Sequence, residues 1–278
     1  RAWYMTVFGL LFVPLVLLNV LVLLWEIRRW SRDVLIPVLV LLPAVFLIGR
    51  YVQFFRGGES SVQGNVRIVS YNVGKFSMQK KNHGIEDSRA CEDSVYSFLN
   101  GCDADIICLQ EFFLPEGNRA GDFLKGKFRG YEIEYYLNVN DEGSYGNVIL
   151  SRYKVLSKGK FHFDKSSNMA FYADLDVEGT TLRVYDCHFE SYNISLQRLA
   201  SNVMKDSTLM RTTEDKMRKS IIRRTDQVGQ ILSDIEESPV EAIVAGDFND
   251  DPMSYTYHRL TRDKADSFVE GGRGLGAT

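Results

Sequence analysis

Cysteine, histidine, tryptophan and proline are all scarce in this chain of 278 residues, which has four, four, three and six of them. The cysteines form no CxxC pair, and no group of His and Cys residues has zinc-site spacing, so a zinc module is excluded. Cys108 and Cys187 lie in apolar runs and are expected to be buried, whereas Cys91 and Cys102 could pair only in an oxidising compartment. Internal repeats and low-complexity tracts are absent too, which excludes a repeat array.

An excess of basic residues is also missing from most of the chain. Residues 1–56 carry six Lys or Arg and two Asp or Glu, whereas the remainder carries 27 and 34. A net-acidic domain is not what broad electrostatic steering of a polyanion predicts. Two interpretations of the acidic balance stay open: the domain collects carboxylates to hold a cation, or the charge only keeps it soluble.

What the sequence does have is two long apolar runs at its start, residues 7–25 and 34–55. Each is long enough to cross a hydrocarbon core of about 30 Å as a helix. The short loop between them carries three arginines, Arg28, Arg29 and Arg32. From the two runs we predict a multi-pass inner-membrane protein. Because short arginine-rich loops stay cytoplasmic, the loop between the runs should face the cytoplasm. Residues 1–56 would be its membrane region, anchored in lipid by two transmembrane helices, and the following domain would be periplasmic.

The rest of the chain has the pattern of a globular domain, residues 65–278, after a Gly- and Ser-rich linker at 57–64. Short β-branched or alternating apolar runs predict strands at 66–71, 105–109, 131–137, 147–151, 170–177, 181–187 and 242–245. Helical patterns are fewer, at 86–100 and 196–236. The short connection at 178–180 predicts a hairpin, so the sheets should be mainly antiparallel with flanking helices.

Several of these predicted strands end in polar residues that apolar packing does not need. They are Asn72, Glu111, His188, Asp247 and, two positions further, Asn249. Four such strand ends could converge on one rim of a sheet. Carboxylates with few competing ligands are the usual protein contribution to a Mg²⁺ site, because that ion keeps most of its waters and binds phosphate oxygens.

Five sequence blocks carry a resemblance to a known family. They read SYNV at 70–73, LQE at 109–111, YGNVILSRY at 145–153, CHFES at 187–191 and GDFNDDP at 246–252. In content, order and spacing the blocks resemble the endonuclease/exonuclease/phosphatase superfamily, which includes deoxyribonuclease I-like nucleases and neutral sphingomyelinases. The apolar start resembles a membrane-attached bacterial branch. The resemblance implies a four-layer α/β/β/α sandwich of two mainly antiparallel sheets, here preceded by two transmembrane helices.

The same resemblance implies a role for each residue at the strand ends. Glu111 would be the main ligand of Mg²⁺ or Mn²⁺, with Asn72 beside it. His188 would donate to the phosphate, Asp247 would orient or deprotonate the attacking water, and Asn249 would hold the phosphate or that water. The activity implied is metal-dependent hydrolysis of a phosphate ester.

Simpler interpretations of these residues stay open. Tyr145 matches a position that contacts phosphate in some branches, but it could equally pack as an ordinary aromatic residue. The others could be turn residues, a solvated acid or a core histidine. The basic residues at 216–219 and 223–224 could bind phosphates, although a solvated helix face is the simpler interpretation. A catalytically inactive, membrane-anchored binding module is the alternative to an enzyme.

The resemblance also implies a continuation that this sequence does not contain. The family pattern runs on into an Arg-Ile-Asp-type block and a Ser-Asp-His block, whereas the given chain stops at Thr278. We therefore expect it to be incomplete at its C-terminal end. The substrate stays open between a nucleic acid and a phospholipid head group, and no protein partner is inferred.

Overall fold

The computed structural model describes residues 8–54, 66–77, 85–115, 120–141, 143–164, 166–192 and 207–276. The predicted linker at 57–64 lies outside these residues. The chain divides into two compact units. The larger contains residues 64–249, and the smaller contains residues 1–63 with 250–278.

The smaller unit begins with two apolar helices, α1 (Phe12–Arg28) and α2 (Leu35–Leu47), which contact each other. The turn between them starts at Ser31, whose hydroxyl accepts a hydrogen bond from the Asp33 amide. Most of the large apolar side chains of both helices are exposed, Leu21 by 64% and Phe46 by 81%. Such a surface is unusual for a helix packed on a soluble core.

The prediction of two membrane spans needs correction. Within the described ranges, one helical segment is long and apolar enough to span a membrane, Arg32–Arg50, with 19 residues and a mean hydropathy of 2.1. The first predicted span, 7–25, overlaps a helix of 17 residues that ends in the charged side chains of Glu26 and Arg28. The second, 34–55, is cut short because β1 (Val52–Gln53) leaves the helix to pair with residues 274–275.

The larger unit contains two four-stranded sheets, and the first has the order β2-β3-β5-β4. Its strands are β2 (Ile68–Asn72), β3 (Ile106–Pro115), β4 (Glu132–Asn140) and β5 (Gly143–Ser151). The strands β2 and β3 are parallel, and the other pairs are antiparallel. Parallel pairing brings the C-terminal ends of β2 and β3 to the same edge.

The second sheet has the order β6-β7-β8-β9. Its strands are β6 (Lys154–His162), β7 (Met169–Val177), β8 (Thr180–His188) and β9 (Glu241–Asp247). The predicted hairpin is confirmed, since β7 and β8 are antiparallel with Val177 opposite Thr180. Glu178 and Gly179 form the two-residue turn with φ of 53° and 85°, as a type I′ turn requires. The last pair, β8 and β9, is parallel.

Three helices of this unit are described: α3 (Ile85–Gly101), α4 (Ala120–Lys127) and α5 (Ser207–Glu237). Tyr96 and Leu99 of α3 and Leu124 of α4 pack on the outer face of the first sheet. The helix α5 contacts the second sheet, where Asp234 accepts hydrogen bonds from Arg183 and Tyr185. The predicted helix at 196–236 is thus present from Ser207 onward, and residues 193–206 lie outside the described ranges.

Between the two sheets lies an apolar core, formed by Ile106, Cys108 and Ile149 from one sheet and Phe171, Ala173, Leu175 and Val184 from the other. All seven side chains are at most 1% exposed. With helices outside and sheets inside, this unit has two mainly antiparallel sheets in the predicted sandwich arrangement. The core between the sheets is apolar, and the polar residues at the strand ends lie beyond it.

The smaller unit ends with α6 (Tyr255–Leu260), α7 (Ser267–Gly271) and β10 (Gly274–Leu275). Each helix begins at a side-chain cap: Ser254 accepts from the Tyr257 amide, and Asp266 accepts from the amides of Phe268 and Val269. The last strand, β10, pairs antiparallel with β1.

Candidate active site

Two pairs of parallel strands bring the predicted site residues to one rim of the larger unit. Asn72 at the end of β2 lies opposite Gln110 of β3, so that Glu111 follows directly. His188 at the end of β8 lies opposite Asp247 at the end of β9. In each sheet, therefore, the two parallel strands end side by side, and both carry polar side chains at or next to their ends.

One amide joins the two sheets at this rim. The Asn72 Nδ2 donates to the Asp247 Oδ2 at 2.8 Å and to the Glu111 Oε1 at 3.3 Å. His188 completes the group, with its Nε2 3.6 Å from the Glu111 Oε1. The Asn72 Oδ1 accepts from the Gly74 amide at 2.9 Å, so Asn72 holds the two carboxylates together by donation.

A β-bulge directs the Glu111 side chain toward the rim. Pairing of β3 with β5 shifts between Leu109 and Phe112, so that Gln110 and Glu111 together oppose Asn147. Glu111 adopts a left-handed φ of 50°, which costs about 1–3 kcal/mol in a residue that is not glycine. The bulge buries Gln110 at 1% exposure while the Glu111 side chain stays 33% exposed. The strained backbone therefore presents a carboxylate that regular strand alternation would not.

A tight turn after β9 fixes Asp247 and Asn249. The Asn249 amide donates to the Asp247 Oδ1 at 3.0 Å, and the Asn249 side chain donates to the Phe189 carbonyl at 2.9 Å. Gly246 has a φ of 137°, and a Cβ there would lie 1.9 Å from the Cys187 carbonyl oxygen. Only glycine therefore allows β9 to approach β8 this closely just before Asp247.

His188 lies in an environment that favours the neutral imidazole. Burial lowers the pKa of His188 below its ordinary value, the charges of Glu111, Asp247 and Glu190 oppose that shift, and the charge of Lys75 adds to it. The side chain is 15% exposed. A neutral imidazole has one N–H to donate and one nitrogen to accept, which suits contact with a phosphate or a water.

Tyr145 lies on β5 near the bulge, opposite Phe113 of β3. The Lys75 ammonium lies 5.1 Å from the centre of the Tyr145 ring, in a cation–π arrangement. Tyr145 is thus placed beside Lys75. Lys75 lies three residues after Asn72 and was not among the predicted site residues.

A buried polar network, which the sequence pattern did not indicate, lies directly below the rim. The Gln110 Nε2 donates to the Asp186 Oδ1 at 2.7 Å, and the Asn147 Nδ2 donates to the Asp186 backbone carbonyl at 3.2 Å. All three side chains are at most 1% exposed. Burial raises the pKa of Asp186 well above its ordinary value, against the opposing hydrogen bond from Gln110. Asp186 therefore favours its protonated form.

The chain segment just after His188 is held by α5. The buried Arg224 donates two hydrogen bonds to the Glu190 carbonyl, at 3.0 and 2.8 Å, and Arg223 pairs with the Glu190 carboxylate at 2.9 Å. Arg224 is 0% exposed. The interpretation of residues 223–224 as a solvated helix face is therefore wrong for Arg224, which anchors the strand end.

The donor set of the rim is suited to a hard divalent cation. In the described part of the chain, no three His, Cys, Asp or Glu side chains are grouped as a metal site. Mg²⁺, however, is commonly held by one or two carboxylates, with waters and phosphate oxygens as its other ligands. Glu111 and Asp247, bridged by the Asn72 amide, provide two such carboxylates.

The likeness to one solved structure with a TM-score above 0.5 supports the fold, and two further solved structures are also similar to this chain. Human nocturnin, solved as its catalytic domain with bound sulfate, matches with a TM-score of 0.52 and 15% identity, covering 79% of this chain and 80% of that one. Sphingomyelinase C from Streptomyces griseocarneus has a TM-score of 0.49 and 20% identity, covering 72% and 70%. TDP2 from D. rerio, solved with a single-strand DNA product, has a TM-score of 0.45 and 23% identity. The match covers 68% of this chain and only 62% of that one.

At the sequence level, no curated protein matches this chain. The model of the Endonuclease/Exonuclease/phosphatase family, in contrast, matches residues 69–277, about three quarters of the chain. The match spans all five motif blocks and both sheets. The chain therefore belongs to the Endonuclease/Exonuclease/phosphatase family.

Proposed function

We propose that this chain is a divalent-metal-dependent phosphoesterase that hydrolyses a phosphodiester or phosphomonoester at the rim of its larger unit. Family membership implies a hydrolase of the phosphoesterase or nuclease type. The observation that carries the proposal is the hydrogen-bonded group in which Asn72 joins Glu111 of one sheet to Asp247 of the other. This group exposes two carboxylates at a position where side-chain packing does not require charged residues.

The proposed reaction is in-line attack of water on phosphorus. The Asp247 carboxylate orients the water and accepts its proton as the new P–O bond forms. The ester P–O bond breaks, and the leaving oxygen takes a proton from solvent to depart as an alcohol. Neutral His188 donates a hydrogen bond to a phosphoryl oxygen as its charge grows. Asn249, held by the Phe189 carbonyl and the Asp247 carboxylate, keeps the turn rigid beside the reacting group.

The metal would be held by Glu111, with Asn72 beside it, as the family resemblance implies. When bound, Mg²⁺ or Mn²⁺ supplies charge neutralisation and polarises the phosphoryl oxygen. Asn72 could serve as a ligand through its amide oxygen, which in this structure accepts from the Gly74 amide. The β-bulge directs the carboxylate of Glu111 toward the rim.

The membrane is the proposed setting of this activity. The exposed apolar side chains of α2, which lies within the segment Arg32–Arg50, would be covered by lipid, with the arginines of the preceding loop on the cytoplasmic side. That orientation places the catalytic unit in the periplasm. The substrate that we propose for this setting is a phospholipid head group or a periplasmic phosphodiester. An inactive binding module has no observation in its favour.

Removal and return of metal test the proposal. Full-length protein in detergent should hydrolyse bis-p-nitrophenyl phosphate, lose that activity in excess chelator, and regain it when Mg²⁺ or Mn²⁺ is added back. Zn²⁺ and Ca²⁺ added at the same concentration serve as controls for a general effect of cations. Activity that persists in excess chelator would contradict the proposed metal dependence, and absence of hydrolysis under all conditions would favour the inactive module.

A further inference from the structure

The peptide unit that links Phe189 to Glu190 is hydrogen-bonded on both sides. Its carbonyl, that of Phe189, accepts from the Asn249 Nδ2 at 2.9 Å and from the Asn168 Nδ2 at 2.8 Å. Its N–H, that of Glu190, donates to the Gln227 Oε1 at 2.9 Å. A trans peptide is planar, so its C=O and N–H point in opposite directions and rotate together. Gln227 therefore binds one side of the same planar unit whose other side binds Asn249.

The Gln227 side chain is itself fixed. It is 2% exposed, and its Nε2 donates to the Ser166 Oγ at 3.3 Å. Ser166 in turn donates to the Glu190 carboxylate at 2.6 Å. Arg224, which donates twice to the Glu190 carbonyl, lies three positions earlier and therefore on the same face of α5. One helix face thus binds both the amide and the carbonyl of Glu190.

The bond to Phe189 also determines the orientation of the Asn249 amide group. Its Nδ2 faces the Phe189 carbonyl, whereas the flipped group would place oxygen against oxygen. In the observed orientation the Oδ1 is the acceptor that this side chain offers. The Asn249 backbone amide donates to the Asp247 Oδ1 at 3.0 Å, so both residues belong to one turn. When Asp247 takes one proton of the attacking water, an acceptor suits the other hydrogen of that water.

We propose that Gln227 is a positioning residue, which acts through the Phe189–Glu190 peptide to fix the Asn249 amide so that its oxygen accepts from the attacking water. This inference rests on the proposed phosphoesterase function. Without the bond to Gln227, the peptide can rotate about the bonds that flank it, and the Phe189 carbonyl then moves relative to Asn249. Displacement of a reacting group by about 1 Å costs roughly 10²-fold in rate.

Gln227→Met tests the proposal, because it keeps the length of the side chain and removes both of its hydrogen-bonding atoms. On bis-p-nitrophenyl phosphate, the full-length variant should have a kcat lowered roughly 10- to 100-fold with little change in KM, since Asn249 acts on the water. Circular dichroism and the melting temperature confirm folding. If Gln227→Met does not fold, Gln227→Asn replaces it, since its amide is one methylene further from Glu190. A folded variant with parental kcat would overturn the proposal.

A double-mutant cycle with Asn249→Ala separates positioning from general loosening of the fold. If Gln227 acts through Asn249, Gln227→Met should lower kcat by no more than about twofold once residue 249 is alanine. A loss as large as in the parent would overturn the proposal. Asp234→Ala is the matched control, because it removes the hydrogen bonds that the same helix accepts from Arg183 and Tyr185 of β8. It should leave kcat unchanged, and an equal loss of kcat would also overturn the proposal.

Amide hydrogen exchange distinguishes failure of this inference from failure of the proposed function, because it needs no turnover. The segment to measure is 246–250, which contains Asn249 and in which the Asp247 carbonyl accepts from the Phe189 amide at 3.0 Å. Exchange there should be roughly tenfold faster in Gln227→Met than in the parent and unchanged in Asp234→Ala. If the parent hydrolyses no ester but exchange responds in this way, the proposed function fails and the link from Gln227 to Asn249 stands. Equal exchange in the parent and Gln227→Met overturns that link.

Discussion

At the scale of single residues, the side chain that carries the proposed metal site is Glu111. Glu111→Gln keeps the shape and the hydrogen bond from Asn72 but removes the negative charge that would attract a cation. We expect the Mg²⁺ concentration for half-maximal activity to rise roughly tenfold or more, since one charge-assisted contact is lost. A metal titration of activity checks this, with Glu178→Gln in the β7–β8 turn as the control. An unchanged titration curve would remove Glu111 from the metal site.

His188 should show a different kinetic signature. Its proposed hydrogen bond to a phosphoryl oxygen exists when substrate binds and strengthens as charge develops. His188→Ala should therefore lower kcat by roughly 10²–10³ and also raise KM. Steady-state kinetics on bis-p-nitrophenyl phosphate, with circular dichroism to confirm folding, measure both effects. A variant with parental kcat/KM would place His188 outside the reacting group.

Sequence alone identified most residues of the rim, because each follows an apolar strand where packing does not call for polarity. It could not identify Lys75 or Asp186. Lys75 is brought beside Tyr145 by the left-handed loop, and Asp186 lies inside a β-branched and aromatic run that has the pattern of an ordinary strand. Both depend on contacts between segments distant in sequence, such as the Gln110–Asp186 hydrogen bond.

At the scale of secondary-structure elements, all seven predicted strands are present, and β6 (Lys154–His162) is the one strand of the two four-stranded sheets that was missed. It is an edge strand rich in Lys, Ser and Gly, so it lacks the apolar content of a buried strand. Lysine on an edge discourages pairing with other chains. The short helix α4 was missed as well, because its two glycines weaken any helical pattern. The bulge at Glu111 leaves no signature in the sequence.

The contact between β3 and β8 below the rim leads to a prediction about stability and pH. Burial raises the pKa of Asp186 in the folded protein. At any pH above its unfolded pKa of about 3.9, Asp186 must therefore take up a proton when the chain folds. The free energy of unfolding must then fall as pH rises from that value toward the folded pKa. Asp186→Asn is neutral at every pH. We expect its melting temperature to exceed the parental one at pH 8 and the difference to shrink toward pH 4.

Asp174 provides a matched control of opposite sign. Burial alone would raise its pKa, but hydrogen bonds from Arg183 and Ser157 outweigh burial and lower it. Its contribution to stability is therefore present above the unfolded pKa and lost as pH falls through the folded one. Asp174→Asn should melt below the parent at pH 8 and approach it in acid. If Asp186→Asn behaved in the same way, Asp186 would be ionised in the fold.

The hydrogen-bonding geometry around Asp186 also suits a neutral side chain at this position. Across the described segments, the Asp186 Oδ2 and the Asn147 Oδ1 are buried acceptors that have no hydrogen-bond partner. A protonated carboxyl group can donate to such an acceptor, and so can the amide of the Asn variant. The network would thus join the two sheets just below Glu111 and His188, which explains why polar groups are tolerated in an otherwise apolar layer.

At the scale of the whole molecule, the orientation of the N-terminal helices is a testable expectation. Because Arg28, Arg29 and Arg32 crowd the short connection, we expect this connection to face the cytoplasm and the residues after α2 to lie in the periplasm. A reporter that is active only in the periplasm, fused after Gly64, should be active. A cytoplasmic reporter fused at the same residue is the control. If only the cytoplasmic reporter worked, the orientation would be reversed.

In the proposed function, strand ends from both sheets form one phosphoesterase site, and substitution of Asp247 is its sharpest test. Asp247→Asn can keep the hydrogen bond from the Asn249 amide but can no longer accept a proton from water. Kinetics of the full-length variant on bis-p-nitrophenyl phosphate should show kcat lowered by roughly 10²–10⁴, with little change in KM, because the interaction is made in the transition state. A folded Asp247→Asn variant that kept the parental kcat would contradict the proposed phosphoesterase site.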